Sequence, residues 1–420
     1  MSARTAVQGV VRLAGPRLPL VSFLARLPAA LCPTGTLLMV TALDGVGRGG
    51  VVAGLLWGGQ AVGGPLLGRL ADRRGHRPVI LAASLANALL TAALVVASVG
   101  ALAPAVQAGC AALAGFTVPQ IGPLSRTRWI ALAGGRRDGH ELVGPALAFD
   151  AVVDETSFVA GPALVGVLAW AVHPAAGLVC AAVLMAVFGT VFALHPTAPA
   201  PAPAVAAAAP TAAGRTAAAG RVLSGPLLVL IAVTVLQGVV FGAANTGVQY
   251  LARGDAGVGG LVWSAMGVSS AAAGVLLASF AERFDLTARL RTAVAAQAVL
   301  LLGLLPVDGV AGAAVAVGAV GFAVAPALIA VFGLVERVAP AGRMAEAMTL
   351  LGSGLIAGQG LAVTGVGPLV GAHGPLAAFA PACAAGALAL LLVLALVRLR
   401  RFPPARPAPA PALAAAAASS

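Results

Sequence analysis

The sequence predicts an all-α polytopic membrane protein, with twelve transmembrane helices in two pseudo-symmetric six-helix bundles. Three observations lead there. Of 420 residues, 60% are apolar and 9% charged, with a mean hydropathy of +1.01, which is more apolar surface than a soluble domain can cover. Apolar runs of about 20 residues, the length a helix needs to cross a bilayer, recur between clusters of Gly, Pro and Arg. A Pro/Ala-rich stretch then divides the series halfway.

The runs fall at 19–43, 50–69, 79–99, 102–124, 143–169, 174–194, 226–251, 258–281, 292–307, 310–334, 347–371 and 375–398. Even numbering puts both termini on one side. Residues 1–18 are then a cytoplasmic segment, 19–194 the first bundle, 226–398 the second, and 399–420 a Pro/Ala-rich tail expected to be disordered. Residues 195–225 form the linker between bundles, and the prolines in HPTAPAPAPAVAAAAPTAAGR favour extended backbone there over a clean span. Arginines precede the first run as in a signal peptide, but the run is too long and lacks an A-x-A site, so that span is expected to be retained.

The formal charge is +12, and the basic residues are all arginine. On this topology all but Arg26, Arg48 and Arg253 lie on one face, the positive-inside pattern. It predicts a multi-pass cell-membrane protein with both termini cytoplasmic. With one Tyr and no basic-aromatic interleaving, no nucleic-acid partner is expected. Cys32, Cys110, Cys180 and Cys383 are scattered singly, so neither a metal site nor a disulfide framework is expected. The expected partners are the bilayer and a small-molecule substrate, the expected state is a monomer, and no cofactor is expected beyond a proton as coupling ion.

Between the second and third runs lies GRLADRRGHRPVIL, Gly68 to Leu81, a short hairpin with four arginines. Gly68, Leu70, Asp72, Arg73, Gly75 and Arg77 fit the spacing G-x-L-x-D-R-x-G-[RK]-[RK], with His76 in place of a basic residue. The run resembles the cytoplasmic loop signature of the major facilitator superfamily. That resemblance implies two bundles rocking between inward-open and outward-open states, with Gly68, Asp72, Arg73, Gly75 and Arg77 as a gating element linking them. The halves also echo one another: ASFAER at Ala278 to Arg283 shadows GRLADR, and GFAV at Gly321 lines up with GFTV at Gly115, as internal duplication would produce. In the second run Gly54 and Gly58, Gly59 and Gly63, and Gly64 and Gly68 are four apart, a spacing for close helix approach.

Charges within apolar spans mark candidate sites. The fifth run carries Asp150, Asp154 and Glu155, at depths of about 10 Å and about 17 Å into a ~30 Å core. Asp150 and Asp154 share a face, while Glu155 points about 100° away. Arg26 in the first run sits at the depth of Asp150, so a pair between them is expected, with Arg26 snorkelling to water as the alternative. Asp154 and Glu155 show no basic partner at their own depth. Desolvation then favours their protonated forms, which makes them, with Asp150, the candidates for carrying a proton; a helix-packing hydrogen bond is the alternative.

Downstream, SFVAGPALVG, with Gly161 and Pro162, resembles the fifth-span signature of the superfamily's proton-driven antiporters, with Ser157 and Val165 departing from it. The resemblance implies export in exchange for protons, and contact between bundles shaped by Gly161 and Pro162. The buried arginine such antiporters carry in the fourth span is not found around Gln107 and Gly109. Gln60, Gln237 and Gln359 fall halfway along their spans, with Asn245 and Gln249 further out; they are substrate-cavity candidates, with interhelical hydrogen bonds as the alternative.

No GxxxxGK[ST] loop supports an ATP-driven pump, and five scattered histidines form no catalytic constellation. A secondary active transporter is therefore expected rather than an enzyme or a sensor. Proton-coupled efflux of a small hydrophobic or weakly polar compound leads over uptake of a small metabolite.

Overall fold

The computed structural model describes residues 15, 17–134, 139–198, 224–253, 255–280, 285–339 and 344–398. Lipid cannot hydrogen-bond a bare peptide group, so apolar sequence of this kind satisfies its backbone internally as helix. Among the described residues the helices are α1 (Arg17–Asp44), α2 (Val46–Arg74), α3 (His76–Val99), α4a (Pro104–Phe116), α4b (Ile121–Gly134), α5 (Gly139–Ala171), α6 (Ala176–Leu194), α7 (Gly225–Leu251), α8 (Ala256–Phe280), α9 (Leu286–Leu302), α10 (Val310–Val338), α11 (Met344–His373) and α12 (Leu376–Arg398). Counting α4a and α4b as one broken helix gives twelve, and nine of the twelve are long and apolar enough to cross a membrane. Most of the linker and the whole tail read from the sequence, with Glu282 and Arg283 of the ASFAER echo, lie outside the described residues.

Two helices differ from the expected spans. The fourth does not stop at 124: it breaks at Thr117–Gln120 around Pro119 and resumes as α4b to Gly134. Thr117 Oγ1 donates to the carbonyls of Leu113 and Ala114, covering acceptors the break leaves open. The ninth occupies Leu286–Leu302 rather than 292–307, because Asp285 caps its N-terminus through the Thr287 N–H and draws Arg289 and Arg291 into the first turns.

Tight reversals use glycine where its freedom is needed. Gly45 (φ 87°, ψ 162°) joins α1 to α2, and Gly75 (φ 92°, ψ 150°), the loop-motif glycine, joins α2 to α3. Both occupy a region essentially closed to residues with a Cβ. Alternation of the helices sets the Gly45, Ala171–Ala175 and His373–Gly374 turns at one end of the molecule and the Gly75 turn at the other.

Each half has its own core. In the first, Leu31, Leu38, Val165 and Leu178 pack together, and Ile80, Trp129 and Phe192 nearer the Gly75 end. In the second, Phe241, Trp263 and Phe379 form one cluster and Leu230, Leu334 and Leu351 another. The halves meet along two seams, α2 on α11 and α5 on α8. A Cβ on Gly50 would lie 2.6 Å from the Val363 carbonyl and 2.8 Å from Gly367 Cα, and one on Gly54 would strike Thr364 Oγ1. On the other seam a Cβ on Gly166 would sit 2.9 Å from Leu261 N, while Gly257 abuts Trp170. These contacts lie toward the Gly45 end. Gly59 and Gly63 instead press on Ala112 and Phe116 of α4a, so the glycines of α2 serve two faces, and a Cβ on Gly58 or Gly68 would meet nothing within 4 Å.

Candidate functional site

Where α1, α4b and α5 come together, four charges are collected in the half of the bundle nearer the Gly75 end. Arg26 Nη2 donates to both carboxylate oxygens of Asp150, at 2.7 and 2.8 Å, and Nη1 to the Asp150 carbonyl at 3.1 Å. Ser125 Oγ and Trp129 Nε1 also donate to Asp150 Oδ1, at 2.7 and 3.1 Å, and Ser22 Oγ lies 3.2 Å from Ser125 Oγ. Ser125 and Trp129 reach the same carboxylate because they are four apart on α4b. The Arg26 and Asp150 side chains are 3% and 2% exposed. A buried ion pair is tolerable when its remaining lone pairs are satisfied, and those of Asp150 are.

Asp154, one turn along α5, is held differently. Its Oδ2 accepts from Arg126 Nη2 at 3.0 Å, and its Oδ1 lies 3.6 Å from Arg26 Nε, beyond hydrogen-bond reach. Arg126 Nε is also 3.5 Å from Asp150 Oδ2. The Asp154 side chain is 26% exposed and that of Arg126 45%. Two arginines thus face two aspartates: the Asp150 carboxylate is locked by donors from three side chains, Arg26, Ser125 and Trp129, and Asp154 is part-exposed and singly hydrogen-bonded. The side chain of Glu155 lies outside the described residues.

This geometry corrects the sequence reading twice. Asp154 does have a basic partner at its depth, Arg126. The fourth helix continues through Ser125–Trp129 instead of ending before them and so carries a buried arginine, Arg128, though none near Gln107 and Gly109. Arg128, two residues on from Arg126 and facing the other way, is fully buried: Nη1 donates to the Phe192 carbonyl at 2.8 Å and its guanidinium carbon lies 3.7 Å over the Phe192 ring. The C-terminal end of α6 and a cation–π contact take up that charge. Just beyond α6, burial first, then the positive Arg128 and Arg17, lower the His195 pKa below its ordinary value. The signal that could have revealed both arginines is the run WIALAG, Trp129 to Gly134, which resumes apolar sequence after them.

The other candidates are dispersed. Gln237 is 1% exposed, and its amide exchanges two hydrogen bonds with Gln297 of α9, at 2.6 and 2.8 Å. It is an interhelical link, not part of a cavity wall. Asn245 Oδ1 accepts from Gln249 Nε2 at 2.9 Å. Gln60 is buried with Oε1 unpartnered, and Gln359 is half-buried, its backbone against Gly238 and Gly242. Gly161 presses on Ala30 of α1, within the first bundle; on α5 the contact between bundles comes at Gly166 and Trp170. In the loop motif, Arg73 and Arg77 are exposed, Gly75 is buried, a Cβ on Gly68 would meet open space, and the Asp72 side chain lies outside the described residues. Among the described residues no group of His, Cys, Asp and Glu could hold a metal ion.

Comparison with known proteins bears on fold and family. The chain resembles the solved nucleoside transporter NupG (D323A mutant) with a TM-score of 0.68 at 15% identity, covering 91% of this chain and 99% of that one. It resembles an auto-inhibited POT family peptide transporter with a TM-score of 0.65 at 14% identity, covering 94% and 99%. The partially occluded inward-open xylose transporter XylE from E. coli gives a TM-score of 0.64 at 12% identity, covering 90% and 97%. These likenesses show the fold. No curated protein sequence matches. The sequence model of the Major Facilitator Superfamily matches residues 20–351. The chain therefore belongs to the major facilitator superfamily and is a secondary transporter of that non-enzymatic family.

Proposed function

We propose that this transporter couples solute movement to protons, with Asp154 as the carboxylate that takes up and releases the proton. The observation that carries the reading is the difference between two carboxylates one turn apart. Asp150 is locked and sealed from water, whereas Asp154 is part-exposed and hydrogen-bonded to one half-exposed arginine. A group that must exchange protons needs access and a partner that can let go. With the arginine-rich Gly75 end in the cytoplasm, the contacts between bundles at the Gly45 end correspond to an inward-facing state. On that reading the protein is a multi-pass cell-membrane monomer with both termini cytoplasmic. Asp72 and its neighbours join the bundles when the Gly75 end closes, so Asp72→Asn should slow turnover with little change in substrate binding.

Direction has two readings. Export of a small hydrophobic or weakly polar compound in exchange for protons is supported by the likeness of residues 157–166 to antiporters. Uptake of a small metabolite together with protons is supported by Arg126, a half-exposed cation beside the proton carrier. Both are tested with purified protein in liposomes enclosing a pH dye, after subtracting protein-free liposomes. Solute added outside should make the lumen alkaline under exchange and acidic under cotransport, and Asp154→Asn should abolish either response. Proton movement that survives Asp154→Asn would refute the assignment.

A further inference from the structure

We infer that Arg126 is the anchor for a carboxylate or similar anionic group on the transported solute, and that the site takes this anion together with a proton. The inference rests on Asp154 as proton carrier and extends the uptake reading.

The reasoning is a matter of donors and charge. Arg26 is committed to Asp150: its Nη atoms go to the Asp150 carboxylate and carbonyl, its Nε lies 3.6 Å from Asp154 Oδ1, and it is nearly sealed. Arg126 is not consumed. One hydrogen bond, from Nη2, holds it to Asp154, and among the described residues Nη1 has no protein acceptor. A guanidinium exposed to this extent within the bundle must meet water rather than lipid. Its fork of spare donors suits a planar carboxylate, and it rejects cations.

The charged groups facing it are Arg26 from α1 and Asp150 and Asp154 from α5. The flanking α6 and α8, packed on α5, contribute no charged residue within Ala176–Leu194 or Ala256–Phe280. The Glu155 side chain is outside the described set. The described cluster is thus neutral with both aspartates ionised. An anion arriving then must compete with Asp154 for Arg126 and leaves an excess negative charge. Protonating Asp154 weakens its hold on Arg126 and leaves the cluster at +1, which the anion restores to zero. Proton and anion therefore favour each other's binding, and by linkage the effect is reciprocal. A carrier whose two ligands bind cooperatively moves them in the same direction.

The test is binding to the full-length purified chain, read as a thermal-stability shift and by calorimetry at pH 6 and pH 8. The probes are aliphatic and aromatic carboxylates, each paired with its primary amide and its ammonium analogue. All the carboxylates are ionised at both pH values, so any pH dependence belongs to the protein. A carboxylate should bind where its amide and ammonium analogues do not, with affinity falling by up to about tenfold per pH unit where Asp154 loses its proton. Asp154→Asn should bind the carboxylate equally at both pH values. Because Arg126→Gln alone removes the hydrogen-bonded partner of Asp154 and could misfold, the charge-balanced Arg126→Gln/Asp154→Asn chain serves as the second variant; it should unfold normally and bind no carboxylate. Amide or ammonium binding equal to that of the carboxylate, carboxylate binding that survives loss of Arg126, or no carboxylate binding at either pH each overturns the inference. Carboxylate binding that needs Arg126 but ignores pH and Asp154→Asn would keep the anchor, and remove both the cooperative coupling and Asp154 as proton carrier.

Discussion

The two bundles share an architecture but differ in how they bury polarity. In the first, α1, α4b and α5 enclose two arginines and two aspartates. In the second, α7 holds Gln237, buried and paired amide to amide with Gln297. The charged residues of the described second-bundle helices, Arg289, Arg291, Glu336, Arg337, Glu346 and Arg398, lie toward the Gly75 end. A neutral amide pair satisfies itself and has nothing to exchange with solvent. An ionic cluster with one loosely held member can change charge, and that change can bias one arrangement of the bundles over another. On the proposed function, the chemistry belongs to the first bundle, and the second supplies a matching, chemically silent surface.

The largest effect should come from breaking the ionic side. Arg26→Ala strands the Asp150 carboxylate in a site 2% exposed and should cost about 3–5 kcal/mol; Arg26→Ala/Asp150→Ala, with no orphan charge, should be milder. Thermal unfolding of the purified proteins measures both, and a single variant no worse than the double would undo the claim that charge balance governs this bundle.

The seam between bundles comes next. Gly50→Val forces atoms into a space where even a Cβ lies 2.6 Å from the Val363 carbonyl, and should cost about 1–3 kcal/mol at that contact. Because only the closed Gly45 end makes this contact, the change should shift the population toward the state open there. Labelling of a Thr364→Cys reporter by an impermeant thiol reagent, in a chain without its native cysteines, should rise; unchanged labelling would mean the seam is not the element that opens.

The silent side is probed by Gln237→Leu, which leaves the Gln297 amide buried and unpaired at about 1–3 kcal/mol, whereas Gln237→Leu/Gln297→Leu should be near neutral with transport retained. Transport lost in a stably folded double variant would show that the second bundle is not silent.

The smallest effect lies at the Gly75 end, beyond the spans. Burial raises the Asp285 pKa, but hydrogen bonds from Arg337 and Thr287, with the Arg337 charge, outweigh it and hold the group below the ordinary carboxylate range. A carboxyl depressed in the folded state contributes stability above its unfolded pKa of about 3.9, and that contribution is lost as pH falls through the folded value. The side chain is more than half exposed, so the contribution should be well under about 1 kcal/mol. Asp285→Asn should flatten the acid limb of a stability–pH curve by that small amount.

The sequence by itself determined the helical class, the two-bundle division, the Gly75 hairpin and the depth of Arg26 and Asp150, because hydropathy, chain-breaking residues and helical rise are properties of a linear chain. Tertiary structure decided what the remaining charges mean. Arg126 and Arg128 read along the chain as loop charges that end an apolar run, since in one dimension an arginine has no partner. In three dimensions Arg126 meets Asp154, and Arg128 meets the ring and carbonyl of Phe192, so the helix continues through both. The same holds for Gln237, which is polar at mid-depth in the sequence but in the fold faces Gln297 and not a cavity. Depth is encoded locally; partnership is set by which helices the packing brings side by side.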